Sequence, residues 1–168
     1  MQQLVRNTEE IALVEAAKKV LPAGTFGNTG LDIVIARGKA GRVWDASGNE
    51  YVDYLLGSGP MVVGHAHPEV TAATVEQVVN GTTFFVNNPH GIRLAEEIVD
   101  AIPCADQVRF VSTGTEADLY AMRAARAFRG RDKILKFEGG YHGMSDYGLM
   151  SLAPKRLANF PTPVPDSA

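Results

Sequence analysis

Two short stretches of this chain combine residue types that do chemistry. The first is Arg109-Phe110-Val111-Ser112-Thr113-Gly114-Thr115-Glu116-Ala117, a run that reads as a buried strand, a tight turn of small residues and the first turn of a long helix. A junction of that kind aims backbone N–H groups and the positive end of a helix dipole at one spot, which suits a phosphate. Gly114 lets the backbone come close to a ligand, and Thr115 adds a hydroxyl beside the amides. Thr113-x-x-Glu116 is also the pattern of a capping box that only starts a helix, so both readings stand at this point. The second stretch is Glu138-Gly139-Gly140-Tyr141-His142-Gly143, an aromatic and a histidine raised on glycines. Tyr141 there either covers the edge of a core or stacks on a flat ring. His142 is either a proton carrier or an ordinary hydrogen-bonding histidine. A phosphate cradle followed by an aromatic on glycines suggests a phosphorylated, planar, ring-bearing cofactor.

Other groups carry less. His65-Ala66-His67-Pro68 has the look of a metal pair, but no third ligand is evident and a structural zinc takes four, so no metal site is expected. His67 precedes Pro68, a first helical position, which gives it a place near an N-cap. Arg123, Arg126 and Arg129 recur toward a helix C-terminus, where cations are favoured anyway, and read as a solvated face. Cys104 follows Pro103 with no base nearby and is a poor nucleophile. No Gly-x-Gly-x-x-Gly or Gly-x-x-x-x-Gly-Lys pattern follows any strand, which argues against a generic nucleotide-phosphate site.

These residues need elements to position them. Asn7 with Glu10 signals a helix start, and Leu21-Pro22 ends that helix near Val20. Residues 33–37 form a short strand, and residues 42–45 and 50–54, joined through Ser47-Gly48-Asn49, read as a hairpin. From Pro68 the apolar spacing becomes helical as far as Gly81, and a second helix covers 89–102. Then come a strand at 108–111, a helix at 115–129 ended by Gly130, and a strand at 133–137. Strand, helix, strand with continuous apolar runs is a βαβ unit in a mostly parallel sheet, and ligands bind such sheets at the carboxyl ends of strands. Thr113-Gly114 and Tyr141-His142 both fall there.

The bulk properties fit this picture. The chain has 168 residues, 45% hydrophobic content and a net charge of -3, as an ordinary globular protein does. It has no basic footprint for nucleic acid or an anionic membrane, and no apolar run long enough to span a bilayer. A single cysteine excludes an internal disulfide and makes a reducing cytoplasm the default location. Pro154, Pro161, Pro163 and Pro165 crowd the tail.

Taken together, the motifs resemble the class III (subgroup II) pyridoxal-phosphate-dependent aminotransferases, in the branch that includes glutamate-1-semialdehyde 2,1-aminomutase. The likeness runs from about residue 21 to 153. It is carried by 43–54 (Val-Trp-Asp-Ala-Ser-Gly-Asn-Glu-Tyr-Val-Asp-Tyr), Gly64-His65-Ala66-His67-Pro68, Thr113-Gly114-Thr115-Glu116-Ala117 and Lys136-Phe137-Glu138-Gly139-Gly140-Tyr141-His142-Gly143. The resemblance implies the type I transferase fold, an α/β architecture. Residues 1–60 would supply an N-terminal helix and a small antiparallel β segment belonging to the small domain. Residues 61–168 would be an incomplete large cofactor-binding domain. It also implies a homodimer and small amino-acid or oxo-acid substrates. Thr113, Gly114 and Thr115 would hold the phosphate of pyridoxal 5'-phosphate, Tyr141 would stack on its ring, and His142 would lie near the ring.

Three departures fall outside that cofactor set or change it mildly. Ser112-Thr113 stands where the family has Asn-Ser. Pro22-Ala23-Gly24 is followed by no arginine through residue 31, where the mutase branch carries one for the substrate carboxylate. Ser58 replaces an aromatic before Gly59-Pro60. These changes lie mainly on the substrate side and favour transamination over the mutase. A non-catalytic binding module that keeps only the cradle is the alternative from another class. The family's Schiff-base lysine matches none of Lys133, Lys136 and Lys155; it is expected downstream of this chain, which would then be the N-terminal portion of a longer enzyme, inactive alone and poorly soluble.

Overall fold

The structure is a computed structural model, and it describes residues 5–26 and 30–152. Lys155 and the proline-rich tail lie outside the described residues. The chain divides into two compact units, Met1–Phe85 and Val86–Ala168.

The first unit opens with α1, Thr8–Val20. Asn7 caps it, its side chain accepting from the Glu10 N–H at 2.8 Å. The expected capping box is only half made. The Glu10 carboxylate accepts instead from the Val34 N–H (3.2 Å) and from the Ser47 hydroxyl. Glu10 is thereby 1% exposed, the most buried side chain among the described residues. It ties the helix to a three-stranded antiparallel sheet of β1 (Ile35–Lys39), β2 (Arg42–Asp45) and β3 (Glu50–Val52), in the order β1-β2-β3. Val43 faces Gly38 on one side and Tyr51 on the other. At the β2–β3 turn, Gly48 takes φ 88°, and Asp45 binds the turn from below. After a long loop, α2 covers Pro68–Val78 with Pro68 in its first turn, as the sequence predicts.

The second unit holds α3 (Pro89–Ala101), α4 (Gly114–Arg129) and a short helix, α5 (Asp146–Leu149), which the sequence reading did not anticipate. Gly130 ends α4 in the left-handed conformation at φ 59°. The strands expected at 108–111 and 133–137 are not formed: both segments lack ladder hydrogen bonds, and the only sheet among the described residues is antiparallel. A parallel strand gets its ladder entirely from distant neighbours, and no described residue supplies one to either segment.

Apolar burial is sparse. Val14 and Val43 are the only buried hydrophobic residues among those described, whereas Phe128, Leu135 and Phe137 are 87%, 86% and 79% exposed. The apolar stripe of α3 likewise contains no buried residue. Polar bonds, rather than a packed core, therefore hold the first unit in shape.

Candidate functional site

Thr113 takes extended backbone angles and caps α4, its hydroxyl accepting from the Glu116 N–H at 3.1 Å. The same hydroxyl donates to the Glu116 carboxylate (3.2 Å), which also accepts from the Ser112 N–H (2.9 Å). The capping box is formed. Capping engages Thr113 and Glu116 and leaves the N–H groups of Gly114 and Thr115 with no protein acceptor among the described residues. Space over Gly114 is open: a side chain built there would meet no atom within 4 Å. Two backbone N–H groups at the head of a 16-residue helix thus lack an acceptor among the described residues, beside a Gly114 with open space over its Cα.

The glycine-rich loop docks on this helix end. The Met144 N–H donates to the Thr115 hydroxyl at 3.0 Å. Gly143, at φ 83°, packs so tightly that a Cβ would lie 2.6 Å from the Thr115 Cα, so only glycine fits. The loop is held from behind by the Gly139 N–H donating to the Ser151 carbonyl (2.8 Å). The Ser145 hydroxyl, which accepts from the Gly148 N–H (3.2 Å), caps α5. Tyr141 stands on this anchored loop 59% exposed, a ring offered to solvent rather than packed into a core.

His142 points elsewhere. It lines a cavity of about 590 Å³ along the flank of α4, together with Asp118, Met122, Lys133 and Lys136, and neither Tyr141 nor the helix head is part of that wall. The structure thus joins Thr113, Gly114, Thr115 and the Tyr141 loop at one place, with His142 turned to the adjoining cavity. Lys136 donates to the Phe137 carbonyl at 3.4 Å.

Several residues behave differently from the sequence reading. Arg126 is more than part of a solvated face: its guanidinium donates to the Asp132 carbonyl (2.6 Å) and lies 4.4 Å over the Tyr147 ring, joining the end of α4 to α5. His65 pairs with Asp53 at 2.6 Å, a partner the sequence reading missed although both lie in the motifs it singled out. His67 caps α2 without a side-chain bond, and its Nδ1 is buried with no partner among the described residues. Asp45 accepts from Asn49, Tyr51 and the Ser47 N–H. Burial pushes its carboxyl up, but the hydrogen bonds from Asn49 and Tyr51 outweigh this and hold it below the usual range. The Tyr51 phenol is pushed up to about 12 by burial and by the Asp45 carboxylate it donates to. Cys104 is exposed. No helix among the described residues is long and apolar enough to cross a membrane.

The architecture matches solved transaminases. A transaminase with pyridoxal phosphate bound superposes with a TM-score of 0.82 at 34% identity, covering 88% of this chain and 36% of that one. The fold is therefore a partial type I pyridoxal-phosphate-dependent transferase fold. The model of the class-III aminotransferases matches residues 25–164, and the chain belongs to that family. It is similar to glutamate-1-semialdehyde 2,1-aminomutases from Methanothermobacter thermautotrophicus (53% identical over 61% of this chain and 24% of that protein) and Neisseria gonorrhoeae (42% over 94% and 38%). The chain spans about a quarter to two fifths of the length of these relatives.

Proposed function

We propose that this chain contributes the cofactor-holding wall of a pyridoxal-phosphate-dependent transaminase, an enzyme that moves an amino group between an amino acid or amine and an oxo acid or aldehyde. One observation carries the reading: the Gly114 and Thr115 amides have no acceptor among the described residues, and the space over Gly114 is open, beside an anchored loop that presents the Tyr141 ring. Those amides, with the dipole of α4, bind the cofactor phosphate. Because the Thr113 hydroxyl is engaged with Glu116, its contribution is to hold the helix head in shape, and the backbone does most of the phosphate binding. Tyr141 stacks on the pyridine ring and sets its tilt. His142 lies in the adjoining cavity, close enough along the chain to hold a proton or a water beside the ring. When bound, pyridoxal phosphate supplies an electron-withdrawing ring that stabilises negative charge on the carbon bearing the amine. None of Lys133, Lys136 and Lys155 takes the covalent lysine role.

Titration with pyridoxal 5'-phosphate and with phosphate-free pyridoxal tests it. Two charge-assisted hydrogen bonds lost with the phosphate predict at least ~10-fold weaker binding of pyridoxal. Equal affinity for the two would refute the site, and a borohydride-trapped cofactor on Lys133 or Lys136 would refute the lysine assignment.

The mutase is a second reading, supported by the names of the relatives above. Against it stand Ser58 before Gly59-Pro60 and the absence of arginine between residues 25 and 31. Amino-group transfer to an external oxo acid, measured against internal isomerisation of a 4-amino-5-oxo acid, separates the two. A homodimer and a cytoplasmic location belong to the same proposal.

A further inference from the structure

Tyr141 belongs to a closed loop that lies wholly within the second unit. The Gly139 N–H donates to the Ser151 carbonyl at 2.8 Å and ties the two ends of the loop together. Gly139 (φ 76°) and Ser151 (φ 56°) both occupy the left-handed region at this neck, and for a serine such an angle persists only where the surroundings enforce it. Inside the neck, α5 turns back on the residues that carry the ring. Gly148 is buried, and a Cβ on it would lie 2.4 Å from the His142 carbonyl oxygen and 3.0 Å from that of Gly143. The stretch His142-Gly143 is therefore met twice with no room for a side chain: by Gly148 of α5 and, at Gly143 itself, by Thr115 of α4.

α5 is in turn fastened to the flank of α4. The Arg126 guanidinium lies 4.4 Å over the Tyr147 ring, and its Nε is held by the Asp132 carbonyl at 2.6 Å. Arg126 stands about three turns beyond Thr115, roughly 16 Å of helix. The loop and α5 thus grip one rigid helix at two separated points, Met144 at its head and Tyr147 along its side. Two grips fix the orientation of the loop as well as its place. Arg126, Tyr147 and Gly148 line the adjoining cavity, whereas the space over Gly114 is open.

We infer that α5, through Gly148 and the Arg126–Tyr147 contact, positions the Tyr141 ring relative to the head of α4 and so sets part of the affinity for the cofactor ring. This rests on the transaminase reading above. Arg126, Tyr147 and Gly148 are positioning residues; they act through the loop, and Tyr141 is the group that meets the ring.

Gly148→Ala tests this, because alanine is the better helix former while its methyl displaces the His142 carbonyl. Tyr147 is 53% exposed, so shortening it opens no core. In the full-length enzyme, Gly148→Ala and Tyr147→Leu should each weaken pyridoxal 5'-phosphate binding about 3- to 5-fold, and Tyr147→Phe, which keeps a ring under Arg126, should not. Binding of inorganic phosphate should stay unchanged in all three, since the amides of the α4 head are untouched. In a Tyr141→Ala background, Gly148→Ala should cost nothing further, because the ring it positions is gone. Hydrogen exchange followed by mass spectrometry should show amides of residues 140–144 exchanging about 10-fold faster in Tyr147→Leu and recovering in Tyr147→Phe. An equal loss with and without Tyr141 overturns the inference, and so does weakened phosphate binding or unchanged exchange in Tyr147→Leu. Failure of the unaltered enzyme to prefer pyridoxal 5'-phosphate over pyridoxal would refute the cofactor reading instead, and the exchange result would still decide whether α5 holds the loop.

Discussion

In the hairpin unit, Asp45 accepts hydrogen bonds from the Tyr51 hydroxyl, the Asn49 amide and the N–H groups of Ser47 and Asn49, and Glu10 is sealed between α1 and the sheet. At the head of α4 the inventory of groups is similar, but the amides of Gly114 and Thr115 reach no protein acceptor among the described residues and Tyr141 stands in solvent. The first cluster uses nearly all of its bonding capacity on itself, which is what a scaffold does. The second holds its geometry with Thr113, Glu116 and Gly143 while leaving bonding capacity unused, which is what the proposed site requires. The difference separates the two clusters better than the types of residue do, because acids, hydroxyls and aromatics occur in both.

The largest effect should come from breaking the scaffold. Asp45→Ala strands a phenol and an amide in a buried place and should cost about 3 kcal/mol, read by urea unfolding followed through Trp44 fluorescence. Breaking the site should leave stability alone and remove binding. Gly114→Asp puts an acid in the first turn of α4, where the helix tolerates it, but lays a negative charge over the free amides. Affinity for pyridoxal 5'-phosphate should fall about 10- to 100-fold with the helical circular dichroism unchanged. If Gly114→Asp instead unfolded the chain while cofactor affinity in the folded fraction held, the division between scaffold and site would be wrong.

Proton linkage probes the hairpin unit in a second way. Asp45 and Asp53 are held below the normal carboxylate range, Asp53 first by its bond from His65. Their contribution is therefore present above the unfolded value near 4 and is lost as pH falls through the folded values. Tyr51 behaves in the opposite sense: with a folded value of about 12, its contribution is complete below about 10 and disappears as pH rises toward 12. Unfolding midpoints measured against pH should show both limbs. Asp45→Asn should flatten the acid limb, and Tyr51→Phe the alkaline one. The smallest effect should come from Tyr141: Tyr141→Ala should weaken cofactor binding by about 1 kcal/mol and Tyr141→Phe hardly at all, because stacking needs the ring and not the hydroxyl.

Much of this could be read in the chain before any coordinates. The starts of α1, α2, α3 and α4 follow from Asn7, Pro68, Pro89 and Thr113, and the end of α4 from Gly130, since caps act over three or four residues and leave a local mark; α2 stops at Val78, short of the Gly81 expected to end it. The hairpin showed in its alternation and its Gly48 turn for the same reason. The strands at 108–111 and 133–137 were misjudged because apolar runs record a tendency to be buried, not the presence of a partner to pair with. Glu10 looked like half of a capping box, but Val34 and Ser47, far along the chain, claim its carboxylate. Arg126 looked solvated until Tyr147 was placed under it.

The amino-acid order by itself determined the helix starts, the Gly130 stop and the glycine-cushioned loop around Tyr141, because each depends on backbone preferences that neighbouring residues express alone. Folding in three dimensions decided which polar groups would be used up and which left over. Asp53 meets His65, and Gly143 meets Thr115, only when segments 12 and 28 residues apart are brought together. Satisfaction of a hydrogen bond is a property of two places in the chain, and one place cannot announce it.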